Sequence, residues 1–433
     1  MNIFIALFSG IEDPESTNGS IPCFYESVIR HFQNDGHNLL ISISKVFMQE
    51  LQVIPKDLLQ KIKDFNPDLC LFFNNTFYDI SEHVDCPIAI YDVDTPIFYS
   101  NKPALKANID RYKFIVSQEE SAKMLKYEFN AKDENILTVP FFTEIQAEDL
   151  PHKHNICFLG SRFIGSERPN IYNRFMETQP SHEEIQVFKK AISIFRQTPL
   201  MTQEELLTKL GDVSEKVRSN LILDMFLHTI SDEIRVKTLS TVADLGLGLY
   251  GTPNWAFDSY NEPSLILNYN RTFLYTLKHN QDLYNSSKIG ININHLQAAS
   301  GFSWRVCDIL ASNACLVSEY KPNIVKYFAK ANVPTFTNPA EAYEICSKLL
   351  KNENMRKDIV AASQEIINSQ FRFDNVRVLL EDFLNINLKN NSSGSIEYIV
   401  LSKKTKKIKL KHKIYLAIYN KLHKKLTRKG LVR

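Results

Sequence analysis

Short apolar runs alternate twice along the chain with longer stretches that have helical periodicity. The first series predicts strands at Asn2 to Phe8, Leu39 to Ser44, Leu69 to Phe73, Ile88 to Tyr91, Phe114 to Val116 and Leu137 to Val139. The second predicts Ile156 to Leu159, Leu245 to Tyr250, Ile289 to Ile293, Cys315 to Ser318 and Pro334 to Phe336. Such alternation is typical of parallel sheets with crossover helices, so we expect an α/β chain of two doubly wound domains.

A polar stretch between the two series sets the expected domain boundaries. These are a first domain at 1–143, a linker at 144–155, a second domain at 156–385 and a tail at 386–433. Within the second domain, residues 171–243 are rich in Glu, Lys, Leu and Gln and too long for one crossover. That run predicts a helical insertion.

The composition is that of a globular protein with reduced thiols. Of 433 residues, 44% are apolar and 23% charged, and no apolar run approaches the roughly 18 residues of a membrane helix. The opening Met1 to Phe8 has neither a basic leader nor a small-residue cleavage site, so we expect a cytoplasmic protein. Seven cysteines without Cys-x2-Cys spacing indicate neither a disulfide framework nor a zinc site.

The C-terminal segment concentrates positive charge. Residues 403–433 hold 13 Lys or Arg and no acidic residue, whereas the preceding chain has 38 basic and 49 acidic residues. An apolar stripe with helical spacing runs through it, comprising Tyr415, Ile418, Tyr419, Leu422 and Leu426. The pattern favours an anionic membrane surface as partner and a peripheral location on its inner face. A solvated tail is the alternative, and nucleic acid is not expected as a partner.

One glycine pattern imitates a dinucleotide fingerprint. Gly246, Gly248 and Gly251 satisfy G-x-G-x-x-G, but they lie within an apolar strand pattern and Thr252-Pro253 follows. The fingerprint needs a helix N-terminus at that point to hold pyrophosphate. We therefore expect no dinucleotide there.

Two carboxylates follow the predicted strand Ile88 to Tyr91. Asp92 and Asp94 at the end of a strand suit a divalent cation, a substrate contact or an ordinary turn, since Asp94-Thr95-Pro96 is common turn chemistry. The residues alone leave these three interpretations open.

The densest cluster of unusual residues lies late in the second domain. Lys288 precedes an apolar strand that Asn292, Asn294 and His295 close, and a small-residue loop at 299–303 leads into a helix beginning near Trp304. Arg305 and Asp308 then share a helix face. A loop of free N–H groups beside an arginine suits a diphosphate, whereas the plain alternative is an amphipathic helix with a surface ion pair.

This segment resembles the donor-binding region of glycosyltransferases with the two-domain GT-B architecture, most closely the CgeB-like, group 1 type. The family pattern runs approximately as skiglNi, a small-residue loop and Ser-x-Arg-x-x-Glu, and this chain has SKIGININ followed by SGFSWRVCD. The resemblance extends to Gly160-Ser161-Arg162, to Leu249-Tyr250-Gly251 and to IAIYDVDTP in the first domain. It implies two Rossmann-like domains that face a cleft.

The resemblance also implies a nucleotide-sugar donor and the residues that hold it. The implied donor-binding residues are Ser161, Arg162, Tyr250, Gly251, Lys288, His295, Gly301, Phe302, Ser303, Arg305 and Asp308. The arginines, Lys288 and the amides of 301–303 would stabilise the departing diphosphate, so no divalent metal is expected. Asp308 would accept hydrogen bonds from sugar hydroxyls, and His295 is either a donor contact or a strand-end histidine. The family's Glu-x7-Glu spacing falls on Ser300 and Asp308.

The acceptor is expected on the side of the first domain. Asp94, with Asp92 behind it, is the candidate general base for an acceptor hydroxyl of a saccharide or a lipid-linked sugar, as in polysaccharide assembly. The loop at 9–20 would border that acceptor. Two rival hypotheses are a metal-dependent GT-A transferase that uses Asp92 and Asp94, and a noncatalytic membrane-docking scaffold with a GT-B shell.

Overall fold

A computed structural model describes residues 1–11, 16, 20–45, 53–74, 77–96, 99, 101–163, 179–197, 208–211, 220–258, 262–389 and 393–401. The basic segment 403–433, much of the loop at 9–20 and part of the predicted insertion lie outside these residues. No described helix is both long and apolar enough to span a membrane.

The first domain is a parallel sheet with helices on both faces. Its first six strands are β1 (Asn2–Phe8), β2 (Asn38–Ser44), β3 (Leu69–Phe73), β4 (Ile88–Asp92), β5 (Tyr112–Val116) and β6 (Ile136–Thr138). Its helices are α1 (Cys23–Asn34), α2 (Lys56–Phe65), α3 (Lys102–Ala107) and α4 (Glu119–Phe129). The strands are almost entirely buried because both faces of the sheet are covered, which explains their continuous apolar runs.

The second domain repeats this plan with five strands. They are β7 (His154–Leu159), β8 (Leu247–Tyr250), β9 (Ser287–Asn292), β10 (Cys315–Glu319) and β11 (Thr335–Phe336). Its helices are α5 (His182–Gln197), α6 (Asn220–Val242), α7 (Pro263–Asn268), α8 (Leu277–Asn285), α9 (Arg305–Ala311), α10 (Pro322–Tyr327), α11 (Pro339–Lys351) and α12 (Glu353–Gln370). Within the predicted insertion at 171–243, the described residues include all of α5 and α6.

The chain then returns to the first domain. The helix α13 (Phe373–Leu384) packs on α1, where Phe373 stacks on His31 with ring centroids 4.1 Å apart. The strand β12 (Ile396–Leu401) pairs in parallel with β2. The predicted tail at 386–433 is therefore wrong at its start, because residues 396–401 complete the first sheet.

Both sheets are parallel throughout. The strand order is β12-β2-β1-β3-β4-β5-β6 in the first sheet and β11-β10-β9-β7-β8 in the second. The fold class predicted from the alternation, two doubly wound α/β domains, is confirmed. In such sheets ligands bind at the carboxyl ends of the strands, beside the point where the strand order reverses.

One apolar cluster joins the two domains. Phe24 of α1 contacts Phe141 and Phe142 of the connecting segment, with centroids 5.4 and 5.2 Å away, and stacks on Trp304 of the second domain at 5.6 Å. Large aromatic rings dominate such contacts because each removes a large apolar area from water. This cluster holds the carboxyl edges of the two sheets against each other.

Candidate active site

The carboxyl ends of the two sheets meet in a cleft bridged by polar contacts. Gln118, just after β5, donates to the carbonyl of Gln297 at 2.9 Å, and the Gln297 side chain donates to Asp94, just after β4, at 3.0 Å. Ser300 donates to Glu120 at the start of α4. Residues 295–303, between β9 and α9, therefore lie directly against the first domain.

Arg305 begins α9 at this edge. Its Nη1 donates to Asn292 Oδ1 at 3.1 Å and approaches Ser303 Oγ at 3.5 Å, while its guanidinium lies 5.4 Å from the ring centroid of Phe158. Gly160 leaves room for it, since a Cβ there would sit 2.9 Å from Arg305 Nη2. Among the described residues no carboxylate forms an ion pair with Arg305. Its guanidinium is thus held in place without an ion pair, and it interacts electrostatically with the buried Asp308, whose charged form it favours.

A buried arginine that the sequence analysis missed lies beneath this edge. Arg235 of α6 donates to the carbonyls of Ser161 at 2.5 Å and Ile293 at 2.8 Å, which ties the end of β7 to the end of β9. Its guanidinium lies 4.0 Å from the ring centroid of Phe163. Burial, and next the charge of Arg305, lower the pKa of Arg235 to about 9.

Arg162 does not point freely into the cleft. It forms a buried ion pair with Asp232 of α6, with Nη2 2.5 Å from Oδ2. Glu319, at the end of β10, accepts from the backbone N–H of Asn294 at 3.0 Å. Three arginines therefore share this edge with two carboxylates, Asp232 and Glu319. Such a concentration of arginines at one edge favours an anion.

Asp94 lies at the carboxyl edge of the first sheet and contacts the second domain through Gln297. Its Oδ1 accepts from Gln297 and its Oδ2 accepts from Asn74 at 2.7 Å, while Asn74 Oδ1 accepts from the N–H groups of Val93 and Asp94 at 2.8 and 3.1 Å. Burial raises the pKa of Asp94, and the Gln297 hydrogen bond and the nearby His228 act in the opposite direction. The carboxylate is thus oriented from both domains.

Asp92 lies deeper than Asp94 and is 1% exposed. Among the described residues no side chain or backbone group bonds its oxygens within the usual limits. Burial, followed by the charge of Asp94, raises its pKa well above the usual range, and the backbone N–H of Asp94 acts in the opposite direction. The described residues contain no cluster of three or more groups suited to a metal. The cation interpretation of this pair therefore gains no support.

The amides expected to hold phosphate are already bonded. Gly301 N–H donates to Gln118 Oε1 at 3.2 Å, and Ser303 N–H donates to Asn294 Oδ1 at 3.2 Å. Phe302 is buried against Tyr327 and Phe328. In this conformation the Gly301 amide serves the contact between domains and the Ser303 amide bonds within the second domain, so neither matches the expected free anion site.

Asp308 also turns away from the cleft. Thr143 donates to its Oδ1 at 2.6 Å, and the Cys23 thiol lies 3.9 Å from its Oδ2. It is 3% exposed, and burial raises its pKa to about 6. The expected convergence of Asp308 with Arg305 on sugar hydroxyls is therefore not observed.

Two further expected residues lie elsewhere. Lys288 is the second residue of β9 and bonds Asn155 at 2.9 Å, and four steps along the strand place it about 13 Å from Asn292. The Tyr250 hydroxyl bonds His154 at 2.9 Å and Asn270 at 3.2 Å. Lys288 is wrong as a phosphate ligand because it lies at the amino end of a parallel strand and so on the opposite edge of the sheet.

The remaining expected residues lie at the edge with different roles. The His295 ring packs 4.5 Å from Phe163 and 4.8 Å from His228, and its Nδ1 accepts from Gln297 N–H at 3.2 Å. Ser161 contributes its carbonyl to Arg235. Gly251 has φ +152°, and a Cβ there would lie 2.1 Å from the Gly160 carbonyl oxygen. It therefore permits the close approach of two strand ends.

Three further polar residues at this edge were not predicted from the sequence, namely Gln118, Asn74 and Gln297. Asn74 directly follows β3 and Gln118 follows β5 by two residues, so the rule that singled out Asp94 would have identified both. Asp232 and Arg235 gave no such signal, because an acid and a base three residues apart on a helix are typical of a solvated surface.

Comparison with known proteins agrees with this geometry. Residues 233–382, which include Arg235, Gln297 and Arg305, match a family model described as glycosyl transferase-like. Comparison with curated proteins gave no match. Sucrose-phosphate synthase from Thermosynechococcus elongatus shares 9% identity, with 88% of this chain and 98% of that chain covered and a TM-score of 0.52. This likeness shows that the whole two-domain arrangement is shared.

Two other solved structures are similar at lower scores. Anabaena HepE in complex with UDP-glucose is 9% identical, with 88% of this chain and 99% of that chain covered and a TM-score of 0.49. WaaG, a glycosyltransferase involved in lipopolysaccharide biosynthesis, is 9% identical with the same coverage and a TM-score of 0.47.

Proposed function

We propose that this chain, a glycosyltransferase with the two-domain GT-B fold, moves a sugar from a nucleotide-sugar donor to a hydroxyl of a saccharide or lipid-linked acceptor. The observation that carries the proposal is that the carboxyl edges of the two sheets meet with Arg305, which forms no ion pair with a described residue, on one edge. Asp94, a carboxylate oriented by two amides, lies on the other edge.

The donor diphosphate is assigned to the edge of the second sheet. Arg305 is the residue best suited to contact it, because it forms no ion pair with a described residue and its guanidinium can grip two phosphate oxygens. Arg235 acts from behind by tying the ends of β7 and β9 together, and Arg162 is paired with Asp232. Phosphate binding by the 301–303 amides would require Gln118 to release the loop.

The acceptor is assigned to the edge of the first sheet. Asp94 takes the proton of the acceptor hydroxyl, whose oxygen then bonds to the sugar's anomeric carbon while the bond to the diphosphate breaks. The electron pair of that bond leaves with the diphosphate, where Arg305 stabilises the developing charge. Burial raises the pKa of Asp94. A carboxylate with a raised pKa is a better base near neutral pH than a fully solvated one.

The finer parts of the proposal concern the acceptor and the place of the reaction. We infer that residues 403–433, with 13 basic side chains, hold the enzyme on the cytoplasmic face of an anionic membrane. A lipid-linked acceptor in surface polysaccharide or glycoconjugate assembly then becomes accessible to the cleft. The GT-A hypothesis is not favoured, because the chain has two facing sheets and its described residues contain no cluster suited to a metal.

A screen of nucleotide sugars tests the proposal. Purified protein is incubated with nucleotide sugars, EDTA is added to half of the samples, and the release of nucleoside diphosphate is measured. We expect one donor to be turned over and nucleoside diphosphates to raise the melting temperature. Absence of both effects across the panel would support the noncatalytic scaffold, whereas loss of activity in EDTA that Mn²⁺ restores would support a metal-dependent transferase.

A further inference from the structure

Gln297 belongs to the second domain but contacts the carboxylate of the first. Its Nε2 donates to Asp94 Oδ1 at 3.0 Å, whereas the other oxygen of Asp94 accepts from Asn74, which lies in the same domain as Asp94. One of the two side-chain hydrogen bonds that orient Asp94 therefore depends on the position of a loop in the other domain.

A second glutamine holds that loop. Gln118 is 3% exposed, its Oε1 accepts from the N–H groups of Ala299 and Gly301 at 2.9 and 3.2 Å, and its Nε2 donates to the carbonyl of Gln297 at 2.9 Å. A primary amide is the side-chain group that offers a carbonyl acceptor together with two N–H donors. A glutamate would accept the two N–H groups but not donate, and an alanine would leave all three loop groups unpaired.

These contacts form one path across the cleft. It runs from Gln118 through the backbone of Gln297 to the Gln297 side chain, and from there to Asp94 and Asn74. Each of its interdomain bonds needs the two sheets to be at their present separation, because a hydrogen bond is lost when the heavy atoms move beyond about 3.5 Å. Opening of the cleft would break the path at Gln118 and at Asp94.

We propose that Gln297 is a positioning residue that couples closure of the cleft to the orientation of the Asp94 carboxylate, with Gln118 fixing the loop that carries it. The proposal rests on the role of Asp94 as base in the proposed function. Asp94 thus keeps both of its orienting hydrogen bonds only when the two domains are in contact across the cleft.

The surroundings of Asp94 define what its titration should report. Asp92, Tyr25 of α1 and Tyr99 are close enough to interact with it electrostatically, and His228 of α6 is the neighbouring group that favours its charged form. Loss of the Gln297 hydrogen bond removes a donor to the carboxylate, which raises the pKa of Asp94. None of the other groups is altered by a change at position 297.

The test uses the full-length protein labelled with ¹³C at the aspartate carboxyl carbons. The Asp94 resonance is assigned by its disappearance in D94N and is titrated in wild type, Q297A and Q118A. We expect it to titrate at higher pH in Q297A and, by a smaller amount, in Q118A. Q297E provides a second variant that should shift it further, because a glutamate cannot donate and adds a like charge.

The matched control is Q364A. Gln364 Nε2 donates to the carbonyl of Ser312 at 2.9 Å and to Asn313 Oδ1 at 3.2 Å, so it loses comparable bonds within the second domain, away from the cleft. Its Asp94 titration should match that of wild type. Melting temperatures of all variants show whether each is folded.

Kinetics separate this inference from the proposed function. With a donor that turns over, Q297A should lower kcat about tenfold at low pH and leave the donor KM unchanged. The acid limb of its kcat pH profile should move to higher pH together with the Asp94 titration. An Asp94 titration in Q297A identical to that of wild type would overturn the role of Gln297. A shifted titration with turnover unchanged would instead uphold the coupling and remove Asp94 as the base.

Discussion

The guanidinium of Arg305 donates a 3.1 Å hydrogen bond to Asn292, and this bond joins the first residue of α9 to the last residue of β9. This bond fixes the direction of the Arg305 guanidinium, which forms no ion pair with a described carboxylate. The guanidinium lies against the ring of Phe158. It has room at the cleft because Gly160 has no side chain.

We expect R305A to weaken nucleoside diphosphate binding about tenfold or more, because a hydrogen bond to a charged group contributes about 1.5–3 kcal/mol. R305K should restore it only in part, since an ammonium cannot grip two oxygens in a fixed plane. Calorimetric titration measures both. The control K288A changes a lysine at the opposite edge of the same sheet and should bind like wild type, and an R305A affinity equal to that of K288A would contradict the assignment.

G251A should destabilise the second domain by about 3 kcal/mol or more. A Cβ at this position, 2.1 Å from the Gly160 carbonyl oxygen, forces apart the ends of β7 and β8, and φ +152° is strained for alanine. G10A is the control, since its Cβ would make an ordinary contact at 3.4 Å with Phe8. Denaturant unfolding compares the two variants, and equal stability would show that the strand ends separate without cost.

D92N should be more stable than wild type at pH 8, because asparagine does not ionise and each unit by which burial raises the pKa of Asp92 costs about 1.4 kcal/mol at that pH. Because burial raises the folded-state pKa of Asp92, the stability that its protonated form provides is complete below the unfolded pKa of about 3.9. It is lost as pH rises through the folded value. Thermal unfolding should show the D92N advantage shrinking toward pH 4, and a pH-independent difference would argue that Asp92 is not protonated in the fold.

The predicted strands agree closely with the observed ones because a parallel sheet covered on both faces requires continuous apolar runs. The strand β12 was not predicted because it is an edge strand and is not covered in this way. Its residues alternate between half-buried and exposed at an edge of the sheet, and a strongly basic segment follows them. Neither feature distinguishes such a run from a solvated tail.

The candidate site was predictable only in part. Asp94 and Arg305 were identified because they directly follow a strand and a small-residue loop, positions that a parallel sheet brings to one edge. Strand direction excludes Lys288 from that edge. Asp308 was misplaced because helix periodicity places it near Arg305 but does not reveal that α1 and the linker cover it. The partners of Gln297 depend on how the two domains meet, which local sequence does not encode.

Two truncations should separate the edge strand from the basic segment. Deletion of 402–433 should leave the melting temperature unchanged and abolish sedimentation with anionic vesicles, since each basic residue near such a surface contributes about 1 kcal/mol. Deletion of 396–433 should also lower the melting temperature, because it exposes the β2 edge. Equal stability of the two truncations would contradict a structural role for β12, and vesicle binding that survives the shorter deletion would remove the tail as the anchor.

The most direct test of the central account is the transfer rate of D94N, measured together with its nucleoside diphosphate affinity. Asparagine keeps the size of the side chain and can still accept from Gln297 or Asn74, but it cannot take a proton. The account predicts that transfer falls by about 10²–10⁴-fold, the range for general base catalysis, while calorimetric nucleotide affinity stays at the wild-type value. Transfer at the wild-type rate, or loss of nucleotide binding in step with transfer, would contradict it.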